Sequence, residues 1–202
     1  TGTMMVSESD GDNEVDAYGT AISTPLLNNQ QFNAFGDGEY AKAPDANSLD
    51  VSSTATWEIW GDLYETAPST ATRDLFTKSS ATWDIYLNGS GSAIGTMRIR
   101  TNDGTGGVDR NYTVTDGLGC HTFVLESGVI SQYRDGSLVG TGTSGTVKSP
   151  LANSTNVVTI CANLNGDVPS SIRIGSAKLY NTALSATDVL TNFNAQKSIY
   201  GL

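Results

Sequence analysis

Three short stretches concentrate side-chain oxygens of the kind that hold hard cations or sugar hydroxyls. TNDGTGGVDRN carries Asn102, Asp103 and Asp109, GDG carries Asp37, and NLNG carries Asn163 and Asn165. Calcium takes about six to eight oxygen ligands, carboxylate and amide carbonyl alike, and the same groups bond the hydroxyls of a glycan. The expected metal set is therefore Asp37, Asn102, Asp103 and Asp109, with calcium as the cofactor they would hold. The expected glycan-contacting set is Asn102, Asp103, Asp109, Asn163 and Asn165. Each residue also has an ordinary reading, because Asp and Asn tolerate left-handed backbone and bond their own main chain in turns.

Other arrangements exclude more than they offer. Asp10, Asp12, Glu14 and Asp16 alternate with small residues, but an EF-hand loop counted from Asp10 would need Gly and Glu where Val15 and Ala21 stand. That stretch reads as a solvated acidic arm. In WEIWGDLYE the carboxylates Glu58, Asp62 and Glu65 lie four and three residues apart. Strand alternation could turn Glu58 and Asp62 to one face. No Asp stands two residues after Glu58, however, so the carboxylate spacing of strand-borne glucanase motifs is absent. His121 is the only histidine and alternates with Phe123 and Leu125, as a hydrogen-bonded core residue would. No nucleophile is tied to it by local spacing, and the expectation is that the chain is not an enzyme.

Charge and hydropathy narrow the partners. The formal charge of −10, with only 11 scattered Lys and Arg residues, argues against a nucleic-acid surface. No apolar run approaches the ~20 residues that span a bilayer. Cys120 and Cys161 both sit in apolar, strand-like contexts, which fits either a disulfide between adjacent strands or two buried free thiols. The chain opens on Thr1, as a processed product or a piece of a larger protein would.

The elements that would position these residues are mostly strands. Length suits one well-buried domain, and 22 glycines among short apolar runs favour an all-β chain rich in turns. Leu75–Lys78, Trp83–Leu87 and Met97–Arg100 read as a meander, followed by a polar loop over 101–111 and a strand near Tyr112. Asp135-Gly136, between Val129–Tyr133 and Leu138–Val139, is the preferred centre of a type I′ hairpin. The one clear helix begins at Ser185. Ser185 and Asp188 have capping-box spacing, Leu184 and Val189 make a hydrophobic staple, and Ala186, Val189, Leu190 and Phe193 form an apolar stripe.

RIGSAKLYNTALSATDVL resembles the closing strand and helix of the laminin-G-like, concanavalin A/pentraxin superfamily. FNAFGDGEYAKAPDANSLDVSSTATWEIWGDL is similar to its opening, and CHTFVLESGVISQYRDGSLVGT to its central hairpin, with Cys120 where members often have Trp. The motifs cover roughly Asn33 to Gln196 in the family's order. The tail NFNAQKSIYGL resembles the ends of such domains in tailed-phage structural proteins. The resemblance implies an all-β, concanavalin A-like jelly-roll β-sandwich with a short C-terminal helix. We expect residues 1–30 to form an acidic arm with a first strand, and residues 31–202 the laminin-G-like domain. The function expected is a non-catalytic structural or recognition module on a virion surface. Such a module would be assembled with other virion or surface proteins through its termini and would bind host glycans. A secreted or cell-surface carbohydrate-binding domain, or the accessory domain of a glycoside hydrolase, is the alternative.

Overall fold

The computed structural model describes residues 6–7, 16–18, 22–26, 30–35, 40–45, 47–63, 72–87, 96–113, 117–142, 147–161 and 172–202. The early strands are β1 (Val6–Ser7), β2 (Asp16–Tyr18), β3 (Ile22–Leu26), β4 (Gln30–Phe35) and β5 (Tyr40–Ala43). The middle of the chain supplies β6 (Thr54–Asp62), β7 (Arg73–Ser79), β8 (Trp83–Leu87), β9 (Thr96–Asn102) and β10 (Gly107–Thr113). After these come β11 (Leu118–Glu126), β12 (Val129–Arg134), β13 (Ser137–Gly142), β14 (Val158–Ile160), β15 (Ile172–Tyr180) and the helix α1 (Ala186–Gln196). One sheet runs β13-β12-β11-β6-β15-β4-β3, with β1 pairing parallel to β15. The other runs β10-β9-β8-β7-β14-β5-β2 and is antiparallel throughout. Together they make the expected all-β sandwich with a short C-terminal helix.

Alternation decides what each strand turns inward. From the eight-stranded sheet Trp57, Ile59, Phe123, Leu125, Ala177 and Leu179 meet Phe76, Trp83, Ile85, Met97 and Ile99 from the other, and all are at most 1% exposed. Trp83 lies at the centre, with ring centroids 5.7 Å from Trp57 and 5.1 Å from Phe76. Burying each such side chain contributes about 1.5–3 kcal/mol, so this core is what holds the two sheets in fixed register.

Several expectations change. The segment 101–111 is not one loop: β9 reaches Asn102 and β10 starts at Gly107, leaving a short turn. The reason is legible in the pairing, since β10 runs opposite β9 residue by residue from Gly107–Asn102 to Thr113–Thr96, with Tyr112 against Met97. Cys120 and Cys161 are free and buried. One lies in β11 and the other just after β14, in opposite sheets, so the disulfide between adjacent strands is excluded. Residues 1–30, read as an acidic arm with a first strand, contribute β1, β2 and β3, which pair with β15, β5 and β4.

The hairpin and the helix start form as expected. Asp135 and Gly136 take φ of 51° and 76°, the left-handed pair of a type I′ turn. A Cβ at Gly136 would stand 2.9 Å from Cδ1 of Leu190, so glycine there also lets the turn approach α1. Asp188 N–H donates to Ser185 Oγ at 3.2 Å, and Ser185 N–H donates back to Asp188 Oδ2 at 3.1 Å. Val189 is buried with Leu184 packed near it, but Leu190 is 45% exposed, so the apolar stripe is rotated from the one expected. The buried side runs instead through Val189 to Phe193 and Gln196, because Phe193 stacks on Trp60 and Gln196 bonds Glu58.

Candidate functional site

The outer face of the seven-stranded sheet carries a straight polar row built by register. Lys42 stands opposite Thr159, Thr159 opposite Thr77, and Thr77 opposite Asp84. Asp84 is opposite Arg100 and Arg100 opposite Asp109. A second row, one pleat along, runs Asp74, Tyr86, Arg98, Asn111. These residues alternate with Phe76, Ile85, Ile99 and Ile160, whose burial in the core obliges the polar set to face away from it. Thr77, Asp84, Tyr86 and Thr159 form a buried floor, while Lys42, Asp74, Arg98, Arg100 and Asp109 are partly exposed around it and Asn111 is exposed.

The charged groups of the row are mutually organised. Arg100 donates from Nε and Nη2 to the two oxygens of Asp109 at 2.7 and 3.1 Å, a bidentate pair. Its guanidinium lies 5.5 Å from the Tyr86 ring centre, and Nη2 donates to Tyr86 Oη at 3.4 Å. Burial would raise Asp109, but hydrogen bonds from Arg100 and Tyr86 and the adjacent guanidinium charges hold it below the usual carboxylate range. Asp84 behaves oppositely. Burial, reinforced by the Asp74 carboxylate, pushes it from 3.8 up to about 8, outweighing Arg100 and Thr77. At neutral pH the floor therefore presents a carboxylic acid, a donor as well as an acceptor, beside an ionised Arg100–Asp109 pair.

The sequence-derived site residues fall in different places. Asp109 is on this face, in β10. Asn102 and Asp103 lie at the β9–β10 turn on its rim and are engaged within the chain. Asn102 donates from Nδ2 to Ser80 O at 3.0 Å and accepts from Gly104 N–H at 2.8 Å. Asp103 accepts from Thr105 N–H at 2.9 Å and from Lys148 Nζ at 3.1 Å. The Thr105 side chain and backbone, and then Lys148, hold its carboxyl well below the ordinary range. Asp37, Asn163 and Asn165 lie outside the described residues. Among the described residues no three His, Cys, Asp or Glu side chains come together as metal ligands. The reading from sequence missed Asp74, Asp84, Tyr86, Arg98 and Arg100. For the residues of β8 and β9 the signal was present as alternation in WDIYL and MRIR, where charged or hydroxylated residues take every second position, whereas Asp74 reaches its row through a register shift next to it in β7.

The opposite outer face is polar too, but α1 covers it. Glu58 is fully buried, and its Oε1 accepts from Lys178 Nζ at 2.9 Å, Gln196 Nε2 at 3.2 Å and Trp60 Nε1 at 3.2 Å. Trp60 stacks with Phe193 at 5.6 Å and with Tyr200 at 4.4 Å. Glu58 thus secures the helix rather than opening on a cleft with Asp62, and Tyr200 near the C-terminus packs on its own sheet. His121 is 1% exposed and accepts at Nε2 from Arg134 Nη1. Burial, with Arg134 beside it, lowers it to about 3, so it is a neutral structural ring. Gly119 makes room for that guanidinium, since a Cβ there would stand 2.1 Å from Cζ of Arg134.

The match of a laminin-G family model, described as the concanavalin A-like lectin/glucanases superfamily, spans residues 35–190. The chain belongs to that superfamily. No curated protein matches it. Among solved structures, the binding domain of paraclostridial mosquitocidal protein 1 superposes with a TM-score of 0.73 at 14% identity, over 93% of this chain and 48% of that one. The receptor binding domain of botulinum neurotoxin C/D mosaic serotype gives 0.71 at 10% identity, over 93% and 48%. Botulinum neurotoxin type C, which depends upon interaction with two ganglioside molecules to enter the cell, gives 0.69 at 12% identity, over 96% and 50%. This laminin-G-like chain spans about half the length of these structures, and at such identities the similarity is one of fold. None of these three is a phage protein. No described helix is long and apolar enough to cross a membrane.

Proposed function

We propose that this concanavalin A-like domain is a non-catalytic carbohydrate-binding module working outside the cell, and that it contacts its glycan across the polar face of the seven-stranded sheet. The observation that carries the reading is the pair of polar rows on an outer face, with a buried floor and a partly exposed rim of Arg98, Arg100, Asp109 and Asn111. Planar guanidinium, carboxylate and amide groups at fixed strand spacing suit the hydroxyl pairs of a sugar ring. The fold it shares with toxin receptor-binding domains, one of which depends on gangliosides, supports the same class of partner. Asn102 and Asp103 at the adjoining turn, with Asn163 and Asn165, extend the proposed contact set.

Glycan-array screening of the full chain, followed by titration calorimetry of any hit with wild type and Asn111→Ala, tests the reading. Saturable binding weakened by the substitution is expected; absence of binding to any glycan refutes it. Hydrolysis of a bound glycan would instead make the domain an enzyme. Placement on a virion is the finer reading, favoured by the resemblance of NFNAQKSIYGL to the ends of phage structural domains. Mass spectrometry of purified particles decides it, and absence of the chain from them leaves the secreted or cell-surface module.

A further inference from the structure

We propose that the glycan this face takes is acidic, its sugar carboxylate held by Arg98 and Arg100 with Asn111 alongside. The inference rests on the glycan-binding reading and specifies its ligand. In a chain of net charge −10 only 11 residues are basic, and several are neutralised in place. Lys78 pairs with Asp45 and Asp50, Lys148 with Asp103, Lys178 with Glu58 and Arg134 with Asp135. Arg100 is likewise paired, with Asp109, but it stands two residues from Arg98 on β9 and both are turned to the same outer face.

Three features leave them able to take an anion. The bonds of Arg100 to Asp109 and Tyr86 use Nε and Nη2, and none of them uses Nη1. Arg98 is partly exposed, and the residues opposite it on the two neighbouring strands are Asn111 and Tyr86 rather than carboxylates. Finally, the carboxyl directly opposite Arg100 on β8 is that of Asp84, which stays uncharged at neutral pH, so it does not cancel the guanidinium. Asp109 is then the single carboxylate beside two arginines on β9 and β10, and Asp74 lies beyond Tyr86, two strands from Arg98. The local excess of one positive charge suits a carboxylate, which planar guanidinium groups accept in a forked geometry.

The test titrates the full chain with matched oligosaccharides: one ending in a carboxylate-bearing sugar, and the same molecule with that carboxylate reduced to the alcohol. The acid form should bind about tenfold or more tightly, as a lost charge-assisted bond implies, and its affinity should fall with rising salt. Arg98→Gln should lose the preference for the acid form while Arg98→Lys keeps part of it, with melting temperatures showing that both variants fold. Equal binding of the two oligosaccharides overturns the acidic ligand and leaves the glycan-binding reading standing. A preference for the acid form that survives Arg98→Gln overturns the site, and binding of neither form to an array-negative chain overturns both readings.

Discussion

Replacing Asp84 by Asn should make the folded domain less sensitive to rising pH. In the native sheet this carboxyl keeps its proton up to about 8, whereas its ordinary value is 3.8. Between those limits the folded state binds a proton that the unfolded state has released, and stability falls with pH wherever the native state holds more protons. The loss therefore starts just above 3.8, grows through neutrality and levels off near 8, where the native carboxyl ionises as well. An uncoupled proton costs about 1.36 kcal/mol per pH unit, so about 2.7 kcal/mol separates roughly pH 5 from roughly pH 7. Interaction with Asp74 spreads the titration, and about 1–2.5 kcal/mol is the expected share of Asp84 itself. For a domain of this size that corresponds to roughly 2–10 °C in melting temperature. Asn keeps the shape and the donor of the protonated acid but cannot ionise. Thermal melts of wild type and Asp84→Asn, followed by circular dichroism at several pH values across this window, should show a gap that widens in favour of Asn as pH rises. Parallel curves, or a gap that widens the other way, would refute both the burial argument and the uncharged acid on which the ligand inference draws.

Three further outcomes follow from contacts described above. Ser185→Ala removes the side-chain acceptor of the capping box and should cost roughly 0.5–2 kcal/mol in a denaturant titration, and an unchanged midpoint would contradict the cap. Deleting residues 198–202 takes Tyr200 off Trp60; loss of the stacked pair should cost about 0.5–1.5 kcal/mol beyond the area lost, with a red-shifted tryptophan emission as the signature. If calcium is held by Asn102, Asp103 and Asp109, with Asp37, then millimolar calcium should raise the melting temperature by mass action on the native state. No shift would leave the three described residues with their bonds to Ser80, Thr105, Lys148 and Arg100.

What could be read from the sequence was local, and what could not was set by register. Alternation in WEIWGD and CHTFVL, the Asp135-Gly136 turn and the Ser185–Asp188 box each involve neighbours within a few residues, so their structural outcome was visible in the chain. The polar face joins Lys42, Thr77, Asp84, Arg100, Asp109 and Thr159 across six strands, and no spacing in the sequence relates them. Asp109 was singled out, but for membership of an oxygen-rich loop; its role depends on Arg100 standing opposite, which only the β9–β10 pairing supplies. Helix α1 shows the same limit. Its apolar residues suggested a stripe through Leu190, yet the sheet beneath offers Glu58 and Lys178, so the helix turns polar Gln196 inward and leaves Leu190 partly exposed. That rotation also bears on function. A sandwich has two outer faces, and both here are polar enough to bind something. The face carrying Glu58 and Trp60 is occupied by the chain's own helix and Tyr200, whereas the face carrying Asp84, Arg98 and Arg100 keeps a partly exposed rim around its buried floor. The helix thus does more than seal an edge of the sheet: by satisfying one polar face from within, it leaves the other as the one with groups to offer a ligand.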